Sequence, residues 1–157
     1  MSAQLVKEGI NTSETLRHYS TNVRAGSRIC LGFVSPNSTG SNVYVHLKTT
    51  LGGSTNQMVK FEYDGYTYAS LNVHNSVTFY TYAGTSTPYT PSLVNWGEST
   101  GGIVNYYYSS DDYVVIVVQS APQYTGGFLY VQSGHSHMNH SIDIAAYSAS
   151  ANTSGVY

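Results

Sequence analysis

Charge is what this chain has least of. Only 9% of its 157 residues are Asp, Glu, Lys or Arg, against about 25% in an ordinary soluble domain. Six basic residues stand against eight acidic ones, for a formal net charge of −2. So sparse and balanced a set builds no basic field, which excludes the phosphate-neutralising surface of a nucleic-acid binder. No charged run addresses a membrane surface or an acidic substrate either. Cysteine is nearly missing: the single Cys30 excludes an internal disulfide framework. Its neighbours in "RICLGFV" are apolar, which predicts a small buried core residue. No apolar run approaches the roughly 18 residues of a membrane-spanning helix. The opening "MSAQLVKEGIN" lacks the apolar segment of a secretory leader. Synthesis in a cytoplasm without signal-peptide export is the expectation.

What is abundant is polar and uncharged. Ser, Thr, Asn and Gly do the solvating, and 16 tyrosines add apolar rings with wet tips. Tyr and Thr suit a pleated, half-buried surface. Alternation of period two recurs along the chain. In "NVYVHLKT", Val43, Val45 and Leu47 share one face, and Tyr44, His46 and Lys48 the other. "MVKFEY" follows, with Asp64-Gly65 as a hairpin turn signal. In "HNSVTFYTYA", Val77 and Phe79 oppose Tyr80 and Tyr82. "YVVIVVQ" is apolar on both faces and reads as a central strand covered on each side. "FLYVQ" and "HSIDIAAY" read as the last strands. About eight or nine short strands, with no helix of ordinary length, predict an all-β fold: an antiparallel β-sandwich, jelly-roll-like, with an extended N-terminal arm. The expected divisions are residues 1–26 as an arm or anchor, 27–147 as the sandwich and 148–157 as a polar C-terminal tail. Residues 84–102, with two prolines and the only tryptophan, read as one long connection, a length that is usually functional or disordered.

Few residue groups carry chemistry. "GHSHMNHSI" holds three of the six histidines. On a strand His135 and His137 point to one face and His140 to the other. A catalytic zinc usually needs three protein ligands. The pair therefore binds metal only if a three-fold axis gathers copies of it; otherwise it is a polar turn. Asp111 and Asp112 lie in a turn between two strands, where adjacent carboxylates point apart and cannot share a substrate as glycosidase acids do. No nucleophile elbow or phosphate-cradling glycine loop is present. No catalytic residue and no cofactor is expected. Flat rings with polar tips remain: Tyr89 and Trp96 in the long connection, and Tyr106, Tyr107 and Tyr108 beyond it. These five are the candidates for contact with a glycan or a protein partner.

The series "VYVHLKT", "MVKFEYDGYTYA", "VTFYTYAG", "YYYSSDDYVVIVV" and "GGFLYV" resembles a β-sandwich domain of tail-fibre-type and other virion-surface proteins of aquatic phages, cyanophages among them. The likeness covers about Arg28 to Ala146 and is a pattern of strands. It implies a non-enzymatic structural protein on the virion surface, commonly a homotrimer, that attaches to glycan on the host surface. The alternative is a capsid decoration, cement or head-fibre protein whose residues 1–26 bind other virion proteins. Assembly inside the cell and work outside it would reconcile the leaderless start with the uncharged exterior. Neither reading involves nucleic acid or membrane, and the histidine cluster lies outside the shared pattern.

Overall fold

The computed structural model describes residues 6–8, 14–19, 28–36, 43–67, 71–96, 101–120, 126–133 and 142–157. Among them there is no helix. Eleven strands run in chain order: β1 (Val6–Glu8), β2 (Glu14–Tyr19), β3 (Arg28–Pro36), β4 (Val43–Gly52), β5 (Met58–Thr67), β6 (Leu71–Tyr80), β7 (Tyr89–Asn95), β8 (Gly102–Tyr108), β9 (Tyr113–Ser120), β10 (Gly126–Ser133) and β11 (Ile144–Ser150). They form a seven-stranded sheet, β1-β2-β3-β10-β5-β6-β7, and a four-stranded sheet, β11-β4-β9-β8. All pairings are antiparallel. The all-β antiparallel sandwich expected from the alternation is the fold observed.

Period-two alternation decides what lies between the sheets. Val59, Phe61 and Tyr63 of β5 and Val73, Val77 and Phe79 of β6 point inward. They meet Val45 and Leu47 of β4 and Val114, Ile116 and Val118 of β9 from the other sheet. Phe79 stacks between Phe61, at 5.9 Å, and Tyr106, at 5.7 Å between ring centroids. Polar residues also sit in the inward phase, Thr49 of β4 and Asn75 of β6 among them. Asn75 of β6 is buried, and its amide donates to the carbonyl of Ile103 at 2.8 Å and to Asn95 Oδ1 at 2.9 Å. Its oxygen accepts from the Ile103 amide at 3.0 Å. Asn75 thus fastens the start of β8 to the facing sheet.

Strand β9 is covered on both faces, as its unbroken apolar run predicts. Val115 and Val117 point away from the core yet are fully buried. Their cover is the segment after β11. Val117 lies between His46 and Asn105 in register. His46 Nε2 meets the Asn152 carbonyl at 2.8 Å, and Asn105 Nδ2 donates to the Thr153 carbonyl at 2.7 Å. The Val156 amide donates to the Tyr107 hydroxyl at 3.3 Å, and that hydroxyl is 3.0 Å from His46 Nδ1. Residues 151–157 are therefore a strap across the sheet. The strand before it continues to Ser150, three residues past the expected sandwich boundary.

The strap makes His46 sensitive to acid. The Asn152 carbonyl can only accept, so Nε2 carries the proton and Nδ1 accepts from the Tyr107 hydroxyl. Burial pulls the imidazole below its ordinary range, and the Asn152 carbonyl only partly opposes this. A second proton on Nδ1 would displace the Tyr107 hydroxyl hydrogen. The unfolded chain thus binds a proton at higher pH than the folded one. His46-dependent stability is complete above about pH 6.5 and falls as pH drops below that value, by at most about 1.4 kcal/mol per pH unit. Urea midpoints measured between pH 8 and 5, with His46→Gln subtracted, should show this slope. A flat difference would remove His46 as the titrating group.

Three sequence expectations need correction. Asp64-Gly65 is not a turn: β5 passes through both, and its pairing with β6 continues to Thr67↔Leu71. Residues 84–102 are not one long loop, because they contain β7 at the edge of the large sheet. Pro91, with no amide hydrogen, and Thr90, at φ 46°, sit at a bulge there between the pairs Thr78↔Ser92 and Tyr80↔Tyr89. Cys30 is half-buried rather than core. It pairs with Tyr130 on the outward side while Leu31 turns in, and burial raises its thiol above the ordinary range. Within the expected arm, residues 6–8 and 14–19 pair with each other and with β3, extending the chain's own sheet.

Candidate functional site

The outward face of the large sheet is where the chain concentrates its scarce charge. On β5, Val59, Phe61 and Tyr63 point in, so Lys60, Glu62, Asp64 and Tyr66 point out. Register then sets their neighbours. Lys60 is beside Gln132 and Thr78, Glu62 beside Tyr130 and Ser76, and Asp64 beside Phe128 and His74. Arg28 enters from β3 opposite Gln132. Trp96 follows β7 and is fixed by its amide, which donates to the His74 carbonyl at 2.8 Å.

The contacts form a continuous line across the strands. The Trp96 ring is 57% exposed, 5.1 Å from the His74 ring and 5.7 Å from Lys60 Nζ. Lys60 Nζ donates to Glu62 Oε1 at 2.7 Å. Arg28 Nε donates to Glu62 Oε2 at 2.8 Å. The Arg28 guanidinium lies over the Tyr130 ring, 3.6 Å from its centroid. Phe128 continues the line, 6.3 Å from Tyr130 and edge-on to Phe33 at 4.9 Å. Burial alone would raise the Glu62 carboxyl, but the hydrogen bonds and charge of Lys60 and Arg28 outweigh it and hold Glu62 below its ordinary range. Glu62 is therefore an anion that fixes two cations. Beside it, Asp64 lies 3.7 Å from His74.

No family model, curated protein or solved structure matches the chain.

The five aromatic candidates do not come together. Tyr89 opens β7 and Trp96 follows it, seven residues apart, roughly 23 Å at about 3.3 Å per residue. Tyr89 is exposed and lies 6.1 Å from Tyr82, which is 6.0 Å from Tyr80, a tyrosine cluster of its own. Tyr106 and Tyr108 pack against the core from β8. Tyr107 is tied to His46 and the strap. Only Trp96 touches the line of charged side chains. Residues His135 and His137 lie outside the described residues, and no group of three metal-ligating side chains occurs among the described ones.

Asp111 and Asp112 form the expected turn between β8 and β9. The Asp112 amide donates to the Ser109 carbonyl at 2.9 Å, and Asp112 adopts φ 65°. Both carboxylates have structural partners. Lys48 and Ser109 donate to Asp111, and Ser54 donates to Asp112. Lys48 also lies 5.3 Å from the Tyr113 ring and 5.7 Å from that of Tyr157, which joins the turn to the strap.

The sequence reading missed Arg28, Lys60, Glu62, His74 and Tyr130. A signal for two of them, Lys60 and Glu62, existed. "KFEYD" alternates charge and ring in strict period two, so one face of that strand had to carry Lys60, Glu62 and Asp64 together.

Proposed function

We propose that the chain is a non-enzymatic recognition domain that binds glycan through the outward face of its large sheet, displayed on a virion surface. One observation carries the glycan reading: an indole 57% exposed on a rigid sheet, flanked by Lys60 and His74. A flat ring covers the apolar face of a sugar, and charged neighbours exchange hydrogen bonds with its hydroxyls. The particle setting is supported by the resemblance of β4, β5, β6, β8-turn-β9 and β10 to virion-surface domains. A non-enzymatic role is supported by the structural partners that Asp111 and Asp112 already have.

Of the two placements on a particle, host attachment fits the described structure better than shell decoration. The decoration reading gives residues 1–26 the docking role, whereas residues 6–8 and 14–19 of that arm pair with each other and with the chain's own sheet. Trimer formation follows from the resemblance and is read by native mass determination. Glycan-array and host-cell binding of the purified protein should fall at least about tenfold in Trp96→Ala, equivalent to about 1.4 kcal/mol. Tyr89→Ala should have a smaller effect. Unchanged binding in Trp96→Ala would sink the assignment of this face, and labelling spread over every capsomer of the particle would sink host attachment.

A further inference from the structure

From the same face we infer the chemical class of the ligand: a saccharide that carries a carboxylate, of the uronic acid kind. This rests on the glycan reading above and narrows it. The argument starts from Glu62. Its side chain has two oxygens, and each is committed to a different cation, Oε1 to Lys60 and Oε2 to Arg28. Arg28 is engaged through Nε, so the guanidinium edge formed by its two terminal nitrogens meets no second carboxylate among the described residues. That edge is the fork that takes a carboxylate in two parallel hydrogen bonds.

Arg28 is also pre-positioned. Glu62 fixes Nε, the Tyr130 ring supports the guanidinium plane at 3.6 Å, and the side chain keeps 39% of its surface exposed. A mobile arginine would lose side-chain entropy on binding, and this one has lost much of it beforehand. Around Glu62 there are two cations to one anion, so the centre of the line is positive although the chain as a whole is negative. Asp64 lies one row further along, beside His74 and Phe128, and disfavours a second anionic group there. The ligand is thereby oriented, with its carboxylate toward Arg28 and Lys60 and a sugar ring toward Trp96. An acidic peptide shares the carboxylate chemistry. The exposed Trp96 ring beside the ion pairs favours the saccharide.

The test is calorimetric titration of the purified full chain with oligomers of galacturonate, glucuronate and mannuronate. The same oligomers with their carboxyls reduced to alcohols, and an oligoglutamate, serve as comparisons. At least one uronate oligomer should bind about tenfold or more tightly than its reduced form, and its affinity should fall with salt. Arg28→Met should remove that preference, lowering affinity for the uronate oligomer by a larger factor than for its reduced form. Circular dichroism and the urea midpoint confirm that this variant is folded, and Arg28→Lys should restore the preference only in part, since it lacks the fork. Equal affinity for the acidic and reduced sugars would overturn the inference and leave the glycan reading standing. Binding of neutral array glycans with no uronate bound would do the same. Oligoglutamate bound as tightly as the best uronate would overturn the saccharide class. Failure of every glycan would end both readings.

Discussion

Asn75→Ala is expected to cost about 3 kcal/mol of folding stability, among the largest losses a single polar side chain can cause here. The residue is buried, and its four hydrogen-bond partners lie on two strands or their ends: Ile103 N, Ile103 O, Asn95 Oδ1 and Gly101 O. Truncation leaves the Ile103 amide and carbonyl without that side chain in a dry interior. Each buried group stripped of its partner costs about 1–3 kcal/mol. The energetic role of Asn75 is thus to prevent a penalty rather than to add attraction. Asn75→Asp discriminates. It keeps an acceptor for the Ile103 amide but aims a carboxylate at the carbonyls of Ile103 and Gly101. It should be at least as damaging as Ala, and its damage should grow as the carboxyl ionises with rising pH. Urea unfolding with an unchanged m-value measures both. A loss below about 1 kcal/mol for Ala would mean that water replaces the amide, and the cross-sheet fastening would then be dispensable.

Asn75 also shows what could be read in the sequence and what could not. Its position in "VHNSVTFY" is in phase with Val73, Val77 and Phe79, so alternation alone placed it inward. Nothing local says that its partners are 28 residues away at Ile103. Strand identity and facing were legible because they depend on period two, and β4, β6, β9 and β10 lie where alternation put them. Breaks in pairing were less legible, because glycine and proline serve several purposes. Pro91 and Thr90 looked like loop and proved to be an edge-strand bulge. Cys30 looked like core because its apolar neighbours were read without the local irregularity of β3, whose register with β10 shifts at Leu129/Tyr130. Of the candidate site, Trp96 was visible as the only tryptophan. Its company was not, because His74, Lys60, Glu62, Arg28 and Tyr130 come from four strands that only register brings side by side. The strap was hidden for a related reason: "SASANTSGVY" is polar in sequence, yet its backbone is bonded across the sheet to His46, Asn105 and Tyr107, and its Tyr157 ring lies beside Lys48.

Gly65 presents the same ambiguity in its strongest form, and it carries the second large prediction. The dipeptide Asp64-Gly65 is a turn signal, but here glycine makes room for a ring. Tyr63 is fully buried, and glycines from three strands surround it. A Cβ on Gly127 would lie against Tyr63 Cζ and 2.6 Å from the Tyr63 hydroxyl, and 2.8 Å from the Gly65 Cα. A Cβ on Gly102 would come within 3.0 Å of the same ring. Backbone on one side and a buried ring on the other leave little room to yield. Gly127→Ala should therefore cost about 3 kcal/mol, at the upper end for overpacking. The ring itself is not held by its hydroxyl, which is buried and has no hydrogen-bond partner among the described residues. Tyr63→Phe should then be neutral or stabilising by up to about 1 kcal/mol, because it removes a desolvated group that gains nothing in return. Tyr63→Leu trims the ring and should cost about 2–4 kcal/mol alone. In that background Gly127→Ala should be milder than in the parent by about 1–2 kcal/mol, since the ring component of the clash is gone and only the approach to Gly65 remains. Residues in contact couple by about this amount, whereas independent sites add to within about 0.5 kcal/mol. Additive losses in the Tyr63→Leu, Gly127→Ala cycle would show that the glycine serves the backbone alone, and that the ring merely occupies space the strands had already left.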